Sequence, residues 1–108
     1  MVFIKGGEYE NISPEQMQQV IQKFSNWAKL LRENGSLVHA DKINNDGRIL
    51  TAKDGSISDK PFVKTKESVG GYYLIKAADY EAAVKICKSC PAMEYNGTVE
   101  IRKIFDYS

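Results

Sequence analysis

Hydrophobic and polar positions along this chain pass from a short apolar run to a helical period and then to a period of two, and each change marks an element. Val2-Phe3-Ile4 is a short apolar run stopped by Gly6-Gly7, which predicts a first strand. From Ser13 the period lengthens. Met17, Val20, Ile21, Phe24, Trp27, Ala28 and Leu31 recur at steps of three and four, which places them on one face of a helix. Ser13 suits the N-cap, Pro14 the first helical position, and Gln16 completes a capping box. Gly35 after Asn34 is the expected stop.

The period then drops to two. Leu37 to Ile43 and Arg48 to Lys53 read as strands joined through Asn44-Asn45-Asp46-Gly47. Asp54-Gly55 signals a hairpin with a short return through Ser58, because such turns need positive φ at their centre. Asp59-Lys60-Pro61-Phe62 reads as an irregular loop, followed by Val63 to Glu67. Val69 to Ala77 is a further strand, whose Gly70-Gly71 suggests a bulge or a close backbone approach. Asp79 caps a second helix with Tyr80, Ala83, Val84 and Cys87 inward, ended before Pro91, and Thr98 to Phe105 is the last strand. Two helices around a meander predict an α+β domain over residues 1–108, a ferredoxin-like sandwich with both helices on one face of an antiparallel sheet.

Composition narrows the partners. The 108 residues are 43% hydrophobic and 27% charged, as in ordinary globular chains. A net charge of +1 lacks the basic excess that phosphate neutralisation requires, which argues against direct nucleic-acid binding. No apolar run approaches the ~20 residues of a membrane span, and the N-terminus reaches Gly6 too soon for a secretory core. A cytoplasmic protein without a membrane partner is the expectation. A core of this size would gain from a second subunit over an exposed sheet face.

Candidate chemistry gathers in two places. His39, the single histidine, shares a strand face with Leu37 and Asp41, about 7 Å apart per pair of residues. An imidazole oriented by Asp41 or Asp59 could move protons near neutral pH. Lys66, Glu67 and Arg102 are candidate ligand-binding residues near Gly70-Gly71, with Lys66 or Arg102 suited to an anion. Tyr72 and Tyr73 point to opposite sheet faces, so one of them faces away from the helices. Cys87-Lys88-Ser89-Cys90 has redox spacing. It sits at a helix C-terminus, however, where the dipole disfavours a thiolate. As a metal site it offers two ligands where structural zinc wants four, so no metal and no cofactor are expected.

The Ser13-Pro14-Glu15 helix start, Asp59-Lys60-Pro61-Phe62, Lys66-Glu67 with Gly70-Gly71-Tyr72-Tyr73, and Val99-Glu100-Ile101-Arg102 fall in an order that resembles the YCII-related domain family, in its DGPF-motif branch. The resemblance implies a ferredoxin-like fold of the dimeric α+β barrel type and a homodimer built through the sheets. Lys60 stands where that motif has glycine. The family's proton-transfer pair, a histidine in the first helix and an aspartate before the proline after the second, is missing: that helix has no histidine, and Cys90 precedes Pro91. The resemblance therefore implies a small-ligand-binding or accessory domain. A cofactor-independent acid–base enzyme of lyase type using His39 is the alternative. A further one is a regulatory partner of an extracytoplasmic-function sigma factor, since members of this branch occur beside or fused to such factors.

Overall fold

The computed structural model describes residues 1–7, 9, 12–65 and 67–105. Helix α1 spans Pro14–Glu33 and begins as the sequence predicts. The Ser13 hydroxyl accepts from the Gln16 amide at 3.1 Å, and the Gln16 side chain accepts from the Ser13 amide at 2.8 Å. The amides of Gly35 and Ser36 close the other end on the carbonyls of Arg32 and Leu31. Five-residue strand β1 (Val2–Gly6) and β2 (Leu37–Lys42) flank α1 in sequence. Strands β3 (Arg48–Lys53) and β4 (Ser56–Pro61) form a hairpin. They are followed by β5 (Val69–Ile75), α2 (Tyr80–Cys87), a 3-10 turn (Pro91–Tyr95) and β6 (Gly97–Ile101).

Four strands make one sheet in the order β2-β5-β1-β6, every pair antiparallel. Alternation divides its residues. Val2, Ile4, Tyr73 and, packed less deeply, Ala40, Val99 and Ile101 face the helices. Trp27 and Leu31 of α1, with Cys87, Cys90 and Ala92, complete the core. Trp27 stacks obliquely on Tyr73, with ring centroids 4.8 Å apart, and donates its indole N–H to Ser89 Oγ at 2.9 Å. The apolar stripe of α1 thus finds its partners, although Ile21 at its flank stays exposed. In α2 only Ala83 and Cys87 are buried. Tyr80 and Val84, expected inward, are exposed, and the Tyr80 hydroxyl accepts the Lys103 amide at 2.9 Å.

The expectation of a ferredoxin-like sandwich of the dimeric α+β barrel type needs correction. The α+β class, two helices and antiparallel pairing hold, but the sheet is open and not closed into a barrel. It ends at β2 and β6, and the meander does not run through it. β3 and β4 pair only with each other as a separate two-stranded sheet. β5, apolar on its helix-facing side, takes the place beside β2 that a meander would give to β3. Arg48, Thr51 and Lys53 give β3 no apolar face long enough to compete for it.

Asp59-Lys60-Pro61 is also corrected, from irregular loop to strand. Lys60 pairs with Ile49 and Pro61 with Arg48 at the hairpin base. Proline is tolerated there because the strand is an edge. Val63 to Thr65 and Glu67 belong to no strand. Asp54 (φ 50°) and Gly55 (φ 81°) form the expected tight turn.

Candidate functional site

The face of the sheet turned away from the helices carries the polar chemistry. Register places Asp41 opposite Tyr72, Tyr72 opposite Phe3, and Phe3 opposite Glu100, one row across all four strands. His39 lies two residues from Asp41 on the same face, opposite Leu74. The Asp41 carboxylate accepts from His39 Nε2 at 2.7 Å and, with the same Oδ2, from the Tyr72 hydroxyl at 3.2 Å. The imidazole and phenol rings are 5.9 Å apart.

This carboxylate organises both neighbours. With Nε2–H donated to Asp41, the Nδ1 lone pair of His39 is left to accept a proton. Desolvation, and then the hydrogen bond to Asp41, push the Tyr72 phenol above its ordinary value, so it remains a donor at neutral pH. At the opposite edge Lys5 Nζ meets Glu100 at 2.9 Å. The hydrogen bond and charge of Lys5, with a smaller contribution from Arg102, hold the Glu100 carboxyl below its usual range.

Glycine at position 71 lets β2 come this close. A side-chain carbon there would sit 3.2 Å from the Asp41 carbonyl oxygen and 3.7 Å from Lys42 Cα, both backbone atoms. The close approach expected at Gly70-Gly71 is present. The β1 register also skips from Gly71 to Val69, which makes Gly70 a bulge. Gly71→Val should therefore cost about 1–3 kcal/mol by overpacking and displace Asp41 from Tyr72. Urea unfolding, with the His39 ring resonances as a local probe, checks both. An unchanged midpoint with unshifted resonances would contradict the account.

The other sequence-predicted residues are dispersed. Asp59 does not orient His39; it lies on the hairpin and receives a two-pronged ion pair from Arg48, at 3.0 Å from Nε and 2.7 Å from Nη2. Arg102 sits just beyond β6 at the far edge, its backbone paired with Met1, so the two strands β5 and β1 lie between its edge and the strand of His39. Lys66 lies outside the described residues. Glu67 lines an open groove of about 650 Å³ at the base of the hairpin, with Ile43, Arg48, Phe62, Val63 and Val69. That volume is in the range of small-molecule sites. Ile43 follows Asp41 by two residues and still pairs with Gly70, so the outer face of β2 leads from His39 to the lip of the groove.

Sequence reasoning missed Phe3, Lys5 and Glu100. Alternation alone puts them on the outer face, but their row with Asp41 depends on register. Cys90, expected to be an ordinary thiol with no placement in the core, is 1% exposed. Among the described residues no cluster of three or more His, Cys, Asp and Glu could hold a metal ion, and no helix is long and apolar enough to cross a membrane.

No curated protein matches this chain. The model of the YCII-related domain matches residues 1–108, the full length, and the chain belongs to the YCII-related domain family.

Proposed function

We propose that this protein is a homodimeric domain that binds a small, partly apolar molecule on the outer face of its sheet and exchanges a proton with it through His39. The observation that carries the reading is the Asp41 carboxylate, which accepts from both His39 and Tyr72. A buttressed imidazole with one free ring nitrogen is the arrangement general-base chemistry uses. Phe3, Tyr72 and Leu74 supply apolar surface beside it, and the groove beyond Ile43 gives a ligand room to extend. Within the family, Asp59-Lys60-Pro61-Phe62 supports a place in the DGPF-motif branch.

A binding role without turnover is the second reading. It is favoured by the exposure of His39, whose side chain is 59% open in the single chain. One experiment tests both. Small aromatic and aliphatic acids are screened against the wild type and the His39→Gln and Asp41→Asn variants by ligand-observed NMR in D2O. Proton transfer predicts ligands whose exchangeable C–H signals fade with wild type and fade about 10²–10⁴-fold more slowly with either variant. Binding without fading selects the second reading. Ligands that bind all three proteins equally well would sink the site.

A further inference from the structure

The hairpin is the part of the chain that a single subunit does not explain. All twelve residues of β3 and β4 are exposed, and no other element packs substantially on either strand. A two-stranded hairpin standing alone in water is marginally stable at best. Its two faces differ. Register puts Leu50, Ala52, Ile57 and Pro61 on one side, and Thr51, Lys53, Ser56, Ser58 and Lys60 with Ile49 on the other. Leu50 is 67% and Ile57 74% exposed. Arg48 and Asp59, also on the apolar side, clamp its base.

The outer face of the sheet is uncovered as well. The chain measures 48 × 46 × 19 Å. The short dimension has room for one helix layer on one sheet, about 10 Å apart, and for no second sheet. Its radius of gyration is 16.1 Å, against about 13 Å for a compact chain of this length. The excess reflects a projecting arm. A six-residue hairpin is about 20 Å long, and three strand spacings make the sheet about 14 Å wide. The arm of one subunit can therefore cross the whole outer face of another.

The geometry points to reciprocal docking: the β3–β4 hairpin of each subunit lays its Leu50–Ala52–Ile57 side on the outer sheet face of a second copy and closes that copy's His39–Asp41–Tyr72 cluster. Two-fold symmetry covers both unpartnered surfaces at once, because each chain supplies one arm and one face. The arm and the sheet face both contribute to each subunit's share of the contact, for which stable interfaces use ~800 Å². Leu50 and Ile57 roof the ligand surface of Phe3, Tyr72 and Leu74, and bulk water is excluded from the free nitrogen of His39. This placement rests on the preceding section only in taking the His39 cluster as the site.

The test uses the single histidine as its reporter. A subunit spin-labelled through Ser58→Cys, on the polar side of the arm, is exchanged into dimers with an isotope-labelled, unlabelled-at-58 partner. Cys87 and Cys90 are buried and do not compete for the label. The His39 ring signals should broaden in the mixed dimer and recover when the label is reduced. Leu50→Asp with Ile57→Asp should weaken the dimer at least about tenfold, since it places charge in an apolar contact, while the core stays folded. A monomeric wild type, a sharp His39 signal in a mixed dimer, or a dimer indifferent to the two aspartates would each overturn the placement. Broadening with no ligand in the NMR screen would keep the arm and remove the binding function. Ligand binding with a sharp His39 signal would do the reverse.

Discussion

Trp27→Ala should leave the chain close to unfolding at room temperature. The indole is 4% exposed and stands where α1, the sheet and the segment after α2 meet. It packs on Tyr73 and holds Ser89 through its N–H. Truncating a buried tryptophan to alanine costs about 3–5 kcal/mol, and a domain has about 5–15 kcal/mol in total. The cavity would open between α1 and the sheet, against the ring of Tyr73. Trp27→Phe keeps a ring against Tyr73 and loses the hydrogen bond to Ser89, so its cost should be nearer 1–2 kcal/mol. Because Trp27 is the only tryptophan, unfolding in urea must be followed by circular dichroism. A Trp27→Ala protein within 1 kcal/mol of wild type would mean that the core is not centred here.

Neither cysteine should react with a thiol reagent at pH 8 until the protein unfolds, when both should. Cys87 and Cys90 are free and buried. Desolvation is the main cause that raises both thiols, and it pushes Cys90 up to about 11. Two pH units mean about a hundredfold less thiolate than in an ordinary thiol, before burial blocks the reagent. The same shift makes stability pH-dependent. A folded value above the unfolded one means that the native state holds its proton more tightly. That stability is complete below about pH 9 and is lost as pH rises through about 11. Tyr73, pushed up to about 12 chiefly by burial, extends the loss to higher pH. For Cys90 the contribution is roughly 2–3 kcal/mol. The melting temperature should therefore fall steeply between pH 9 and 11, and Cys90→Ala should flatten that slope whatever it does to stability at pH 8. Fast native labelling at pH 8, or a parallel slope in the variant, would contradict the burial of this thiol.

These two expectations also show where the sequence was a sound guide. The core role of Trp27 follows from its place in a stripe of period 3.6, and the structure puts it at the centre. The C-x-x-C spacing invites redox chemistry, and its position at a helix end argued against it. The burial that raises Cys90, though, comes from packing between Pro91–Tyr95 and the core, and that turn gave no clear signal. His39 beside Asp41 was legible because alternation in one strand is local, although a register shift after Leu37 turns that residue to the core and off the face it was expected to share with His39. That one of Tyr72 and Tyr73 faces outward was legible, but not that it is Tyr72, nor that Tyr72, 31 residues away, partners the Asp41 carboxylate.

The sequence by itself determined the elements whose causes are local: the capped helix α1, the Asp54-Gly55 turn, the alternation of β1 and β5, and the opposed faces of Tyr72 and Tyr73. Tertiary structure alone decided which strands became neighbours. Pairing β2 with β5 rather than β3 set Asp41 against Tyr72, moved Asp59 onto a separate arm, left the sheet open, and put Arg102 at the opposite edge. The physical reason is that strand pairing is a competition between distant segments for one buried face, won by total burial. No local signal in β3 could show that β5 would offer β2 the better partner.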